Sequence, residues 1–355
     1  MQTIFKNKKI TSMLGVLPEK ESFFDDEVNN YTFPASQTMR LKKIMGYEKH
    51  RLSKETSTVS DFGTYGLKYM LDNGWIKKEE IGAVICVTLT PDYFVPHVSN
   101  LIQGNVGLDT DVLCIDIAQG CCGFILGLNE ACMILEHTDK KVVLVNGDLI
   151  SHKASKADRE YFPLCGDGVT LTVIENAESE DIYSEIHMDG KAGPSIIVPA
   201  GGLRIPCTSE TAALKQDEGG NVRSQDNIYM DGGVVFNFIM KRVPEMLQHA
   251  WGETNNTVDS IDWFLFHQPN KFILKKLAQK MKIPFEKMPM DLVEKYGNSD
   301  GATIPMTAID HFSGELVGDD MYNCCLAGFG SGLAWGTIMM KLGQMTHCEI
   351  VVSDL

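Results

Sequence analysis

The chain has 355 residues, of which 44% are hydrophobic and 22% charged, a composition typical of a folded protein and not of a disordered one. Its 47 Asp and Glu residues outnumber 32 Lys and Arg residues, so the net charge is −15 at pH 7. A field of that sign repels nucleic-acid phosphates and anionic lipid headgroups, so we expect neither nucleic acid nor a membrane as a partner. The length predicts two domains or one large α/β unit.

Short β-branched runs alternate with amphipathic stretches in the first part of the chain. The runs Ala83–Thr88, Val112–Asp116 and Val142–Asn146 are apolar nearly throughout, which predicts buried strands of a parallel interior sheet. Apolar residues at helical spacing predict helices at three segments, which are Val59–Asn73, Val98–Gly104 and Phe124–His137. Glycines at positions 123 and 127 would let another backbone approach the last of these closely, as in a buried central helix.

A polar, acidic segment after Ile174 predicts a boundary between two halves, residues 1–175 and residues 176–355. The second half has predicted helices at Asp231–Trp251 and Asn270–Met281. Its predicted strands are Ile261–Phe266, Asn323–Ala327 and a last strand after Gly332. Residues 192–224 are rich in Gly, Pro and polar side chains and predict a long loop of the kind that commonly carries function.

The ten cysteines, several inside apolar runs, indicate reduced thiols of a cytoplasmic protein and not a disulfide framework. The adjacent pairs Cys121-Cys122 and Cys324-Cys325 lack the C-x-x-C spacing of zinc sites, so we expect no metal. The first twenty residues lack the apolar core of a signal peptide, and no apolar run is long enough to span a bilayer.

The segment D-I-A-Q-G-C-C-G-F, residues Asp116–Phe124, connects a predicted strand to a predicted helix through a glycine turn. A cysteine here lies at a helix N-terminus, where the dipole and free N–H groups lower the pKa of a thiol. Cys121 takes the turn position and Cys122 the next, so only one of the two can point into a cleft. The alternative is a pair of buried structural thiols.

Three later segments carry further candidates. F-H-Q-P-N places His267 at the C-terminal edge of a strand, where open α/β sheets bind ligands, although a structural role is the alternative. Asn270 of the same segment is explained by capping the next helix. Y-G-N-S-D-G-A-T-I-P presents Asn298 either as a hydrogen-bonding group or as a turn residue with positive φ. The segment Gly328–Gly336 is no phosphate loop, and its glycines favour backbone N–H groups directed at an oxyanion.

A cysteine, a histidine, an asparagine and a glycine-rich donor loop, in this order, resemble the ketoacyl-ACP synthase III branch of the thiolase-like superfamily. Other matching stretches are T-P-D at Thr90–Asp92 with Pro96, G-D-G at Gly166–Gly168 and M-D-G-G-V-V-F at Met230–Phe236. The resemblance implies an α/β thiolase-like fold, with two similar halves in a five-layer αβαβα sandwich. It also implies that the protein works as a homodimer.

The resemblance assigns a role to each candidate. Cys121 would take an acyl group from a thioester, which divides one difficult transfer into two easier steps. His267 and Asn298 would hydrogen-bond the thioester carbonyl of a malonyl donor and stabilise the enolate formed as CO₂ leaves. The backbone N–H groups of Cys121 and Ser331 would form the oxyanion hole. Acyl-CoA or acyl-carrier-protein thioesters would be the substrates, with no bound cofactor or metal.

Four positions depart from the family pattern. Ser331 stands where Gly is usual, although its backbone N–H is kept. Lys43-Ile44-Met45 lacks an Arg that helps to hold coenzyme A, Phe272 replaces an Arg of the carrier-docking face, and Asn237 replaces a common Lys. These changes leave two alternatives open. One is transfer of the acyl group to an amine or hydroxyl acceptor without decarboxylation, and the other is a catalytically silent scaffold.

An acidic carrier protein would be repelled by a chain of charge −15 unless positive charge is concentrated locally. Four lysines on the predicted helix after His267 supply such a site, and we call them the lysine patch: Lys271, Lys275, Lys276 and Lys280. The sequence thus predicts a carrier-docking face beside the histidine. The alternative is an ordinary solvated helix face.

Overall fold

The computed structural model describes residues 1–355. The strands are β1 (Gln2–Phe5), β2 (Lys8–Pro18), β3 (Glu21–Phe23), β4 (Lys49–Arg51), β5 (Ile81–Val87), β6 (Leu113–Ile117), β7 (Lys141–Asp148), β8 (Gly168–Asn176), β9 (Ile182–Met188), β10 (Ile196–Ile197), β11 (Lys215–Gln216), β12 (Val222–Arg223), β13 (Tyr229–Met230), β14 (Trp263–Phe266), β15 (Met321–Gly330), β16 (Ala334–Gly343) and β17 (His347–Ser353). The helices are α1 (Phe24–Glu27), α2 (Ala35–Met45), α3 (Val59–Asp72), α4 (Val98–Val106), α5 (Gly123–Ile134), α6 (Gly232–Glu253), α7 (Lys271–Met281), α8 (Leu292–Tyr296) and α9 (Thr303–Val317).

The first large sheet has six strands in the order β17-β2-β8-β7-β5-β6. Strand β5 pairs in parallel with both β6 and β7, whereas β8 pairs antiparallel with β7 and β2. Strands β5 and β7 confirm two of the predicted interior strands. Val84, Ile85, Val143 and Leu144 alternate between the two faces of the sheet and are all fully buried, because helices cover both faces.

The third predicted interior strand lies elsewhere. Strand β6 forms the outer edge of the sheet and pairs only with β5. Leu113 at its start is 48% exposed, so the prediction of a buried interior strand is wrong at β6. The apolar residues of β6 therefore lie on an edge strand, whose outer side has no paired strand within this chain.

The second large sheet has five strands in the order β1-β9-β16-β15-β14, and only β14 and β15 are parallel. Strands β14, β15 and β16 confirm the strands predicted for the second half. The strand after Gly332 is not the last one, however, because β17 follows it. Strand β17 pairs with β2 of the first sheet, and β1 pairs with β9 of the second. The two terminal strands are thus exchanged across the predicted division at residue 175.

The sheets and helices stack in five layers. Helices α3 and α4 cover the outer face of the first sheet, and α6 and α7 cover the outer face of the second. Helices α5 and α9 lie between the sheets and contact strands of both. The predicted loop at residues 192–224 holds only a short 3₁₀ turn and strands of two residues.

Helix α5 is the central element of this stack. The positions predicted for one helical face, Phe124, Leu128, Cys132 and Leu135, are all buried in the largest hydrophobic cluster. A Cβ at Gly127 would lie 2.6 Å from the Leu144 side chain, so the glycine lets the helix lie against side chains of the first sheet and not, as the sequence had predicted, against another backbone. The N-terminus of α5, where Cys121 lies, is therefore fixed from both sides.

We expect Gly297→Ala to lower the free energy of unfolding by about 3 kcal/mol, because Gly297 has a φ of +81° and a ψ of −178°, which only glycine adopts readily. A Cβ there would also lie 2.4 Å from the Cys165 carbonyl oxygen. The control is Gly104→Ala in α4, where no atom lies within 4 Å of an added Cβ. That variant should gain about 0.5–1 kcal/mol. Urea unfolding measures both, and equal midpoints for the two variants would contradict the prediction.

Candidate active site

The four residues predicted to carry the chemistry line one cavity of about 770 Å³: Cys121, His267, Asn298 and Ser331. Cys121 precedes α5, His267 follows β14, Asn298 follows α8, and Ser331 lies in the turn between β15 and β16. Each side chain is thus held at the end of a buried element, and residues up to 210 positions apart in the sequence meet at one point.

The two adjacent cysteines have different environments. Cys122 is fully buried in the core around α5, with no exposed surface. Cys121 lines the cavity, and its Sγ donates to the Asp300 carboxylate oxygen Oδ1 at 3.2 Å. Only one of the two thiols therefore faces the cleft, as the sequence predicted.

The glycine-rich turn lies directly against this cysteine. A Cβ at Gly330 would be 2.5 Å from the Cys121 Sγ, and a Cβ at Gly328 would be 2.9 Å from the Cys122 Cα. These glycines are required because the end of β15 packs on the backbone at the start of α5. The turn is also fixed by Gln119, whose Nε2 donates to the Ser331 carbonyl oxygen at 2.8 Å.

The sequence predicted a lowered pKa for the thiol of Cys121, and the structure corrects this. Burial and the neighbouring Asp300 carboxylate raise the pKa of Cys121 well above its usual value. The backbone N–H groups of Ser331 and of Cys121 itself act in the opposite direction and are outweighed. The helix N-terminus is thus present, but a dry site and a close carboxylate decide the protonation state.

His267 is 1% exposed, and burial lowers the pKa of its imidazole to about 3, so the ring is neutral at pH 7. Its Nδ1 lies 2.8 Å from the Thr303 hydroxyl oxygen. That hydroxyl donates to the Asp300 carbonyl oxygen at 2.8 Å and accepts from the backbone N–H of Gln268. Thr303 therefore orients the ring and, with its single proton, determines which tautomer the ring adopts.

Asn298 is held through its side chain and its backbone. Its Oδ1 accepts from the Asp300 backbone N–H at 2.9 Å, which leaves the Nδ2 hydrogens free to donate. Its backbone N–H donates to the Leu164 carbonyl oxygen at 2.7 Å. The alternative of a turn asparagine with positive φ is wrong, since Gly297 and Asp300 are the residues with positive φ in this loop. Asn270 caps α7, as expected, by accepting from the Ile273 N–H.

Sequence reasoning missed several residues at the site. Gln119, Asp148, Asp300 and Thr303 all lie within the quoted segments or at the ends of predicted strands, yet none was assigned a role. Asp300 had a recognisable signal, because it is an acidic residue in a loop of small residues between Asn298 and Gly301. Acidic side chains are rarely buried, so one that lies in the sequence between two buried elements is a candidate functional group.

The lysine patch lies on α7, and its four members differ in their contacts. Lys275 and Lys276 are exposed, and the Lys276 ammonium lies 5.8 Å from the centre of the Phe272 ring. Lys271 is paired with Glu294, and the Lys280 Nζ donates to the Met240 carbonyl oxygen at 2.5 Å. Two lysines are therefore free for an outside partner, and two are partly engaged within the chain.

Within residues 1–355 no group of three or more His, Cys, Asp and Glu side chains is placed to hold a metal ion. No helix is both long and apolar enough to cross a membrane.

Two family models match the chain. Residues 115–190 match 3-oxoacyl-[acyl-carrier-protein (ACP)] synthase III, and residues 252–342 match the C-terminal part of the same synthase. The first match contains Cys121, and the second contains His267, Asn298 and Ser331.

Similar proteins cover nearly the whole chain. A putative 3-oxoacyl-[acyl-carrier-protein] synthase 3 of Campylobacter jejuni is 28% identical, with 99% of each chain covered. A beta-ketoacyl-[acyl-carrier-protein] synthase III of Streptococcus mutans is 30% identical, with 84% of this chain and 88% of that protein covered. The crystal structure of a 3-oxoacyl-(acyl-carrier protein) synthase from Burkholderia xenovorans superimposes with a TM-score of 0.91 at 28% identity, over 99% of each chain.

The fold is therefore that of the thiolase-like condensing enzymes, built on two mixed sheets. Enzymes of this class are acyltransferases. The chain belongs to the 3-oxoacyl-[acyl-carrier-protein] synthase III family, as its resemblance had predicted.

Proposed function

We propose that this condensing enzyme works through an acyl-Cys121 intermediate, formed from an acyl-CoA and then extended with a malonyl thioester. The observation that carries the proposal is the shared cavity, in which the Cys121 thiol meets two neutral hydrogen-bonding side chains, His267 and Asn298. Apolar side chains, among them Leu89 and Phe236, also line the cavity and suit an acyl chain. Cys121 attacks the thioester carbonyl, coenzyme A leaves, and the acyl group stays on Sγ.

The second step, decarboxylation of the malonyl thioester and condensation, uses His267 and Asn298 as hydrogen-bond donors. This step requires the tautomer in which Nε2 of His267 carries the proton, so the Thr303 hydroxyl turns its single proton from the Asp300 carbonyl oxygen to Nδ1. Nε2–H and the Nδ2–H of Asn298 then donate to the carbonyl oxygen of the malonyl thioester, which stabilises the enolate as CO₂ leaves. The enolate carbon attacks the acyl-Cys121 carbonyl, whose oxygen is held by the N–H groups of Cys121 and Ser331. Both N–H groups lie close enough to Sγ to lower its pKa, which supports this placement.

We expect Cys121→Ala to abolish acyl-enzyme formation and Cys122→Ala to leave it in place, because only Cys121 faces the cavity. The enzyme is incubated with acetyl-, butyryl-, octanoyl- and dodecanoyl-CoA, and the intact mass is measured. The Cys122 variant is the matched control, since it removes the same group one residue away. Acyl mass that persists on the Cys121 variant would contradict the assignment.

Measuring the release of CO₂ distinguishes condensation with a malonyl thioester from transfer of the acyl group to an amine or hydroxyl acceptor. Decarboxylative condensation releases labelled CO₂ from carboxyl-labelled malonyl thioester, in an amount equal to the 3-oxoacyl product. Asn298→Ala should reduce this release by roughly a hundredfold or more, which is the usual cost of removing one oxyanion donor. Acyl transfer from the enzyme to an amine or hydroxyl compound, with no labelled CO₂, would instead support the alternative.

We propose the lysine patch as the docking face for an acidic acyl carrier protein. Lys275 and Lys276 lie on the exposed side of α7, and this helix begins four residues after His267. Phe272, on the same helix, lines the cavity. A carrier on this face would therefore hold its thioester arm at the cavity mouth.

Reversing Lys275 and Lys276 to Glu should raise the KM for the carrier about tenfold at low salt and leave kcat nearly unchanged, because rim charges act mainly on encounter. The control reverses Lys68 and Lys77, two exposed lysines on and after α3 on the far side of the first sheet. It changes the net charge by the same amount. Equal effects of the two double variants, or no effect of the first, would refute the docking face.

We also propose a homodimer, which forms through the open edge at β6. Leu113 on this edge is 48% exposed, and the nearby loop exposes Tyr93 by 62% and Phe94 by 79%. An apolar edge strand and exposed aromatic side chains together are typical of an interface. Sedimentation of the wild-type chain should give twice the monomer mass, and a monomer at micromolar concentration would refute this proposal.

A cytoplasmic location is the last part of the proposal. All ten cysteines are unpaired, and only Cys207 is classed as exposed. Unpaired thiols at this number are typical of a reducing compartment.

A further inference from the structure

Asp300 lies at the reacting sulfur, yet the proposed mechanism gives it no task. Its Oδ1 accepts from the Cys121 thiol at 3.2 Å, while its Oδ2 is buried and has no partner. The residue is 3% exposed and lines the cavity. Its φ is +54°, a conformation that few non-glycine residues adopt and that Asp and Asn tolerate best. A buried carboxylate without ion-pair partners is costly, so its position requires an explanation.

We propose that Asp300 is the catalytic base that takes the Cys121 proton during acylation and returns it to the leaving thiol. As the S–C bond forms at the thioester carbonyl, the proton moves from Sγ to the Asp300 carboxylate. When the tetrahedral intermediate collapses, the C–S bond to coenzyme A breaks, and the Asp300 carboxyl gives the proton to that sulfur. The products are acyl-Cys121, free coenzyme A thiol and an ionised Asp300, so the proton balance is closed. This inference rests on the proposed acylation of Cys121.

The other titratable groups near Cys121 are less suited than Asp300 to accept the thiol proton. Burial lowers the pKa of His267 to about 3, which makes it a weak proton acceptor. Burial and the charge of Asp300 raise the pKa of Asp148 well above its usual range, and its Oδ1 is occupied by hydrogen bonds from Thr88, Leu89 and Thr90. The same two causes raise the pKa of Tyr161, and burial and two carboxylates, Asp167 and Asp300, raise that of Cys165. His267, Tyr161 and Cys165 are therefore uncharged near pH 7.

Asp300 itself titrates close to the working pH. Burial raises its pKa to about 6, although the hydrogen bond from Cys121 acts in the opposite direction. At pH 7 the carboxylate is mostly ionised and can accept a proton. As the pH falls through about 6 it becomes protonated, loses its basicity and can no longer accept from the thiol. Acylation by the wild-type enzyme should therefore decline below pH 6.

The deciding experiment compares Asp300→Asn with Asp148→Asn. Both variants replace a buried carboxyl of the same interacting pair with an amide of the same shape, but only Asp300 contacts Sγ. Asn suits the positive φ at position 300, so the turn is kept. Quenched single-turnover reactions with the four acyl-CoA probes are followed by intact mass from pH 5 to 9. In parallel, Cys121 is alkylated with iodoacetamide. This reagent reacts with the thiolate, whose proton goes to the solvent, and its iodide leaving group takes up no proton.

The Asp300→Asn enzyme lacks the base, so its acylation at pH 7 should be about a hundredfold to ten-thousandfold slower than that of the wild type. Its acylation rate should also no longer decline below pH 6. Alkylation of Cys121 should become faster in the same variant, because a negative charge beside the thiolate is gone. A structural defect would instead slow both reactions together. Asp148→Asn should keep the wild-type decline near pH 6.

The outcomes that would overturn the assignment of Asp300 as the base differ from those that would overturn the acyl-Cys121 intermediate. Acylation and alkylation that change in parallel in Asp300→Asn overturn the base assignment and leave the acyl-Cys121 mechanism standing. A wild-type acylation rate that is flat from pH 5 to 8 overturns it without any variant, and so does a rate that rises as the pH falls. A wild-type enzyme that none of the four acyl-CoA probes acylates overturns the proposed function and this inference with it.

Discussion

The site depends on backbone segments that approach each other more closely than any side chain allows. A Cβ at Gly328 would lie 2.9 Å from the Cys122 Cα, and one at Gly301 would lie 2.9 Å from the Gly120 carbonyl oxygen. A Cβ at Gly166 would lie 2.2 Å from the Tyr296 carbonyl oxygen. The start of α5, the end of β15 and the loop before α9 are thus fixed relative to one another by contacts between main-chain atoms. Such contacts have almost no freedom to relax, which holds Cys121 and the proposed hydrogen-bond donors in fixed positions.

This close packing excludes water, and exclusion of water determines the charges. Burial keeps His267 neutral and raises the pKa values of Cys121 and Asp148, which disfavours charge on the groups around the Cys121 sulfur. A neutral imidazole and an amide donate hydrogen bonds to a developing oxyanion without a counterion of their own. One carboxylate, Asp300, keeps a pKa of about 6 within this dry site. In a low-dielectric cavity a single charge has a larger effect on proton transfer than it would have in water.

The sequence predicted the five layers and the family because both depend on local signals. The strand–glycine–helix junction at Cys121 and the strand end at His267 can be recognised in short segments. The exchange of β1 and β17 between the sheets could not be predicted, because pairing between distant strands leaves no trace in either strand alone. The pKa of Cys121 was predicted with the wrong sign for the same reason. The helix N-terminus is visible in the sequence, whereas the carboxylate of Asp300 reaches the sulfur only through a fold that brings residues 121 and 300 together.

Helix α7 connects the buried site to the exposed surface. Its inner side, with Leu274 and Leu277, is fully buried against the second sheet, and Asn270 caps the end beside His267. Its outer side carries the exposed Lys275 and Lys276. Charges in physiological salt are screened over about 8 Å, so a partner that approaches this helix responds to nearby lysines more than to the net charge of −15. At low salt the screening length increases, and the repulsion by distant carboxylates grows together with the attraction by the lysines. An acidic carrier and an acidic enzyme are therefore compatible because the positive charge is concentrated where the helix leads into the site.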